Sequence, residues 1–245
     1  MGWFGELGQS LTALLVPESC ASCGGSLKRA DDGRPCTSCR TRFKSLATPW
    51  CDVCMEPLDQ SSYMSHDGRC RRCSRGRAFG SVRAYGPFDG LLKELVSRLK
   101  YSGEQALARP LGHLVLEAGR THYSLAEYEA VIPVPLHRDR LAERGFNQAY
   151  LLARPLADAA KIPIVQALQR PIPTASQVSL EGDARASNVR EAFSLHPKHR
   201  SSIKSRAVLL VDDVLTTGAT AEACANTLLS GGADRVDILV LARTP

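Results

Sequence analysis

Two kinds of residue in this chain are spaced for chemistry. Asp212 and Asp213 stand side by side, after the apolar run Val208–Val211 and before Thr216, Thr217, Gly218, Ala219 and Thr220. Four apolar residues in a row read as a buried strand, and in open parallel sheets ligands sit outside the carboxyl ends of strands. Two carboxylates at such an end can accept hydrogen bonds from the vicinal hydroxyls of a ribose. Gly218 lets the backbone curl its N–H groups inward, and the threonine hydroxyls add donors. A helix starting near Ala219 brings its positive end to the same place. The stretch therefore predicts a cup for a sugar phosphate. It contains neither G-x-x-x-x-G-K-[ST] nor G-x-G-x-x-G, so it is no nucleotide P-loop and gives little support to a dinucleotide site. A plain strand–turn–helix with surface acids explains the apolar run, but not both acids together with three threonines.

The second kind is cysteine. Eight of the nine form four Cys-x-x-Cys knuckles: Cys20/Cys23, Cys36/Cys39, Cys51/Cys54 and Cys70/Cys73. Twelve residues separate the first two knuckles and 15 the last two. Each knuckle can place two thiolates on one tetrahedral ion, so eight suit two structural Zn²⁺ sites. Disulfides compete with this reading, but the chain shows no secretion signal and a reducing cytosol disfavours them. Sequence neighbours suggest that Cys20, Cys23, Cys36 and Cys39 share one zinc and Cys51, Cys54, Cys70 and Cys73 the other. An interleaved pairing stays open, and His66 is a spare ligand candidate. Closed coordination leaves no position for water, so the metal's task is to supply folding energy that about 60 loop-rich residues cannot otherwise find. Cys224 stands alone in a predicted helix and reads as a small core residue.

These groups need elements to hold them. The 245 residues suffice for one or two domains, and 44% apolar with 23% charged residues is ordinary globular composition. Residues 16–76 form the cysteine-bearing module, and 79–245 a second domain. Strands are expected at 79–86, 129–134, 162–168, 206–211 and 235–242, and helices at 88–101, about 104–120, 147–160 and 219–230. Strands alternating with helices predict an α/β fold, a parallel sheet covered on both faces. Residues 170–191, with Pro171, Pro173 and Gly182, are irregular, and a long loop in a compact domain is usually functional. The net charge of +6 is mild, and residues 1–85 carry 12 Lys and Arg against 8 Asp and Glu. That balance is compatible with an anionic partner without establishing one. No run of about 18 apolar residues exists, so the chain is expected not to be an integral membrane protein. Trp3, Phe4, Leu7, Leu11, Leu14 and Leu15 fall at helical spacing and suggest a short docked helix rather than a signal peptide. The cytoplasm is the default compartment, with peripheral attachment at the inner membrane face as the alternative.

Residues 208–220 resemble the 5-phosphoribosyl-1-pyrophosphate (PRPP) motif of type I phosphoribosyltransferases. The resemblance implies that fold, with Asp212 and Asp213 on the ribose 2- and 3-hydroxyls. It also implies that Thr216, Thr217, Gly218, Ala219 and Thr220 cup the 5-phosphate, and that Mg²⁺ sits on the pyrophosphate. Residues 131–149 look like the pyrophosphate-loop region, with Arg138, Arg140 and Arg144 as cationic candidates. Arg144 and Asn147 could instead be a helix N-terminus without ligand. Pro133-Val134-Pro135-Leu136 followed by Arg144-Gly145-Phe146-Asn147-Gln148 resembles the ComF/GntX family of bacterial competence proteins. Leu99-Lys100-Tyr101 before Gly103, and Gln177, Leu180, Arg185, Asn188 and Phe193, fit the same family, as does the double zinc ribbon. Arg185 and Arg190 are either residues that close over PRPP, with Arg185 then in the catalytic set, or solvated loop charges.

Several uses of such a protein stay open. One is a PRPP-binding protein that supports DNA uptake, as the family resemblance implies. Its ribbons would meet single-stranded DNA through Trp50, Arg40, Arg42, Lys44 and Arg71–Arg77 by charge and stacking. Another is an active phosphoribosyltransferase in nucleotide or base salvage. There a nitrogen nucleophile would attack C1 of PRPP with loss of pyrophosphate, the arginines would stabilise the growing charge and the two acids would orient the sugar. No segment announces an acceptor. A third is a docking module for a DNA-uptake helicase or channel.

Overall fold

The computed structural model describes residues 19–20, 22–27, 35–46, 48–58, 68–171 and 192–244. The N-terminal apolar residues, His66, and the segment that carries Gln177, Leu180, Arg185, Asn188 and Arg190 lie outside the described residues.

A parallel sheet carries the fold. Its strands are β1 (Val82–Pro87), β2 (Ala130–Pro133), β5 (Ala207–Leu215) and β6 (Arg235–Arg243), in the spatial order β1-β6-β5-β2. All three pairings are parallel. The β5 and β6 cores are buried on both faces, which is why they read as unbroken apolar runs rather than alternating ones. Helices α1 (Gly90–Tyr101), α2 (Ala108–His122) and α4 (Gln148–Ala160) pack with Leu209, Val211, Leu239 and Leu241 on one face. Helix α5 (Ala219–Ser230) and the second cysteine cluster pack with Val208, Leu210, Ile238 and Val240 on the other. The α/β class and the helices on both faces are as expected.

The helices follow from their apolar spacing. In α1, Leu91, Leu92, Leu95, Val96 and Leu99 are the buried residues, and Asp89 caps the first turn by accepting from Gly90 N–H at 2.6 Å. Each such side chain contributes about 1.5–3 kcal/mol of burial. Helices α2 and α4 touch closely at Gly112, where an added Cβ would lie 2.8 Å from Pro155 Cγ.

Two expectations are corrected. The strand expected at 162–168 is not a strand of the main sheet. Val131 N–H donates to Pro163 O and Val165 N–H to Val131 O, both at 2.9 Å. That makes one bridge to β2 at Ile164, after which the chain turns away. Proline has no N–H to extend the ladder, and β2 is itself only four residues long. Leu168–Gln169 (β3) instead pairs antiparallel with Ser194–Leu195 (β4) in a separate ribbon.

The strand expected to stop at 211 runs on to Leu215, so Asp212 and Asp213 lie within β5 and not beyond it. The cause is β6, which stays paired with β5 through Asp212↔Val240, Val214↔Ala242 and Leu215↔Arg243. Strand β2 ends at Pro133, opposite Val211. The acids therefore sit where β5 has lost one neighbour and kept the other. Among the described residues, no helix is long and apolar enough to cross a membrane.

Candidate functional site

The chain leaves β2 for the face of α4 and leaves β5 for the face of α5. Neighbouring parallel strands whose connections depart to opposite faces open a crevice at their carboxyl ends. The acid pair of β5 and the turn before α5 stand on one side of it. Helix α3 (Arg138–Arg144) and the start of α4 stand on the other.

Successive side chains of a strand point to opposite faces. Asp213 points to the helical face and is 4% exposed. Lys100 Nζ, near the end of α1, donates to its Oδ1 at 2.8 Å. Its Oδ2 is buried without a partner among the described residues. A buried carboxylate oxygen left unpaired is costly, which is why such atoms in native proteins usually await a partner. Asp212 points to the α5 face and accepts from Asp213 N–H at 2.8 Å. Burial, and then the charge of Asp213, push its carboxyl up to about 7, against the pull of Lys100, that N–H and Arg170. The two carboxylates thus straddle the strand. They can meet one ligand only if it lies across the open edge of β5.

The turn after β5 holds Thr216 and Thr217 exposed and Gly218 at φ +83. That left-handed backbone favours glycine and swings the chain into α5. Thr217 Oγ1 accepts from Ala219 N–H at 3.4 Å, and Thr220 lies in the first turn of the helix.

Across the crevice, Arg144 Nη1 donates to Gln148 Oε1 at 2.6 Å, and its guanidinium lies 5.8 Å over the ring of Tyr101. Tyr101 follows Lys100 in the chain, which places Arg144 against the end of the helix that carries the acid pair's cation. Arg138 is exposed at the start of α3, and Arg140 pairs with Glu143 at 3.8 Å. Asn147 is the cap of α4: its Oδ1 accepts from Ala149 and Tyr150 N–H, and its Nδ2 donates to Val134 O at 3.0 Å. That is the helix-terminus arrangement for Asn147, while Arg144 meets Gln148 and the Tyr101 ring.

Two cations here have partners that the sequence did not announce. Lys100 stands in the Leu99-Lys100-Tyr101 stretch that fits the family resemblance, but nothing in the sequence tied it to Asp213. Arg170 stacks 5.3 Å from the Phe193 ring, and its charge reaches Asp212. No spacing in the sequence pointed to it.

The eight knuckle cysteines form two groups, Cys20, Cys23, Cys36 and Cys39, and Cys51, Cys54, Cys70 and Cys73, with the four Sγ atoms of each within 4.8 Å of one another. The groups follow sequence neighbours, not the interleaved alternative. Cys23 and Cys36 Sγ are 3.7 Å apart, and Cys54 and Cys70 Sγ 3.8 Å. Zn–S bonds of about 2.3 Å place tetrahedral thiolates about 3.8 Å apart, so both groups fit a structural zinc. Backbone N–H groups of Cys36 and Cys70 donate to Cys20 Sγ and Cys51 Sγ at 3.4 and 3.3 Å, as thiolates require.

The ribbon cations do not form one patch. Arg40, Phe43, Lys44, Trp50 and Tyr85 line a cleft of about 370 Å³ between the two cysteine clusters and β1. Arg40 there is paired with Glu117 at 2.8 Å, and Lys44 with Asp89. Arg72 and Arg77 lie instead against the turn after β5 and the start of α5.

A family model described as a double zinc ribbon domain matches residues 11–74. The chain is 33% identical over 229 residues to competence protein F of Haemophilus influenzae, covering 91% of this chain and 96% of that protein. It is 32% identical over 237 residues to the DNA utilization protein YhgH of Escherichia coli K12, covering 94% of this chain and 99% of that one. Among solved structures, it is similar to glutamine PRPP amidotransferase from B. subtilis. The identity is 22% and the TM-score 0.36, over 52% of this chain and 24% of that one.

Proposed function

The chain belongs to the ComF family, which holds competence protein F and the YhgH proteins, and from that premise we propose that its crevice binds PRPP or a related sugar phosphate in support of DNA uptake. One observation carries this: Asp213, buried and salt-bridged to Lys100, has an Oδ2 without a partner among the described residues, and it lies in β5 just before the threonine turn. A ligand hydroxyl is the partner that oxygen lacks. In this reading residues 79–245 form a phosphoribosyltransferase-like domain behind the 16–76 ribbon. Asp212 and Asp213 take the ribose hydroxyls from either side of β5. Thr216 to Thr220 take the 5-phosphate, and Arg144 and Arg138 serve the pyrophosphate. Mg²⁺ would come with PRPP, where its chemistry is to take up negative charge on the pyrophosphate.

The cleft between the ribbons supports contact with single-stranded DNA. It brings the half-buried rings of Trp50, Phe43 and Tyr85 beside Arg40 and Lys44, cations that DNA phosphates would have to draw from Glu117 and Asp89. We place this work in the cytoplasm, near the DNA-uptake machinery at the inner membrane face.

The test is calorimetric titration of the full, zinc-loaded chain with PRPP and Mg²⁺. Asp213→Asn is expected to weaken binding at least tenfold, a loss of about 1.4 kcal/mol, and Asp212→Asn to weaken it as well. If both variants bind as the parent does, the assignment of the crevice is wrong. Release of pyrophosphate with one of a panel of bases would add transferase activity to the binding.

A further inference from the structure

We propose that Arg72 is a positioning residue that couples the second zinc centre to the phosphate-binding turn, so that metal in the ribbon and ligand in the crevice stabilise each other. This rests on the crevice reading above and deepens it.

Arg72 lies inside a knuckle, between Cys70 and Cys73. One arm of its guanidinium holds Glu56 Oε1 at 2.6 Å, two residues after Cys54. The other arm donates to Thr217 O at 3.4 Å. Glu56 Oε2 also faces Arg243 Nη2 at 3.7 Å, and Arg243 Nη1 donates to Thr216 O at 3.0 Å. Arg243 ends β6 and is 3% exposed. Two successive carbonyls of the turn are thus held by two guanidiniums that share one glutamate of the ribbon.

The consequence follows from peptide geometry. In a planar trans peptide the C=O of one residue and the N–H of the next point in opposite directions. With the Thr216 and Thr217 carbonyls drawn to the ribbon side, the N–H groups of Thr217 and Gly218 point away from it. Those are donors an anion at this turn would use. A further strut fixes the helix that follows: Glu222, in the first turn of α5, accepts from Ala78 N–H at 2.9 Å and meets Arg77 Nη1 at 3.4 Å. Ribbon docking does not require any of this. Val82 N–H already donates to Val53 O at 2.6 Å, and Met55 is buried against the sheet. The Arg72–Glu56–Arg243 fork thus ties the turn to the knuckle, where Cys54 Sγ lies 3.9 Å from Glu56 Oε2.

Zinc release and PRPP binding test this together. Zinc loss to a zinc-selective chelator is followed with an indicator dye on the full chain, with and without PRPP and Mg²⁺. In the parent, PRPP is expected to slow release of one of the two ions, because a ligand that holds the turn also holds the Arg72–Glu56 contact beside Cys54. Arg72→Ala, shown to retain both zincs, is expected to weaken PRPP about fivefold or more and to lose that protection. Arg72→Lys keeps the charge but lacks the two-armed fork, and is expected to fall on the side of the alanine variant. If Arg72→Ala fails to hold zinc, the parent's release rates still decide. A parent that binds PRPP but releases both zincs at rates indifferent to it overturns the coupling and leaves the crevice reading standing. A parent that does not bind PRPP overturns both.

Discussion

Asp212 and Asp213 are neighbours in sequence with different physical situations. Asp213 has a cation at 2.8 Å, while burial and the charge of Asp213 hold the Asp212 carboxyl up to about 7. The folded value of Asp212 lies above the ordinary 3.8, so the native state keeps this proton longer than the unfolded chain does. Its contribution to stability is therefore full below about pH 4 and is lost as pH rises through about 7. Asp212→Asn removes the loss. The variant's melting temperature is expected to gain on the parent's by about 3 °C between about pH 5.5 and about pH 8, and calorimetry that finds a pH-independent gap would contradict the assignment. Lys100→Met leaves Asp213 buried without its cation, and urea denaturation is expected to show about 3 kcal/mol of destabilisation. Both acids were legible in the sequence because two carboxylates rarely follow a buried apolar run. Their opposite orientation was not, because it depends on whether the strand continues past Val211.

At the scale of elements, that continuation is decided by a partner far away in sequence. Strand β5 keeps its extended backbone through the acids because β6 pairs with it to Leu215↔Arg243. Nothing local in Asp212–Leu215 announces a strand. The stretch 162–168 failed for the converse reason: beyond its one bridge to Val131 it leaves the main sheet, and its end at Leu168 pairs with Leu195 instead. Helices with one apolar stripe, such as α1, were legible almost to the residue, because their burial pattern is local. The turn between β5 and α5 depends on Gly218 at φ +83, where an added Cβ meets nothing within 4 Å. Gly218→Ala is thus strained in backbone alone. It is expected to cost about 1–2 kcal/mol and to weaken PRPP more than it weakens the fold. Equal loss in binding and in an unfolding titration would argue against a special role for the turn. Gly112→Ala, by contrast, drives a methyl into Pro155 and is expected to cost about 1–3 kcal/mol in stability, with PRPP affinity unchanged.

For the whole molecule, the ribbon is part of the body rather than an appendage. The first cysteine group shares a cluster with α1, α2 and α4, and Arg40 ties it to Glu117 of α2. The second shares a cluster with β1 and α5. The knuckles were legible from spacing alone, including their most economical pairing. Their contacts with the turn were not, since Arg72 and Thr217 are joined only by the fold. If the crevice holds a sugar phosphate, its place is fixed by groups from both halves of the chain. A structure of the full chain grown with PRPP and Mg²⁺ tests this most directly. The 5-phosphate is expected on the N–H groups of the Thr216–Thr220 turn, with a ribose hydroxyl on Asp213 Oδ2. A phosphate bound elsewhere, or an Asp213 that still meets only Lys100, would contradict it.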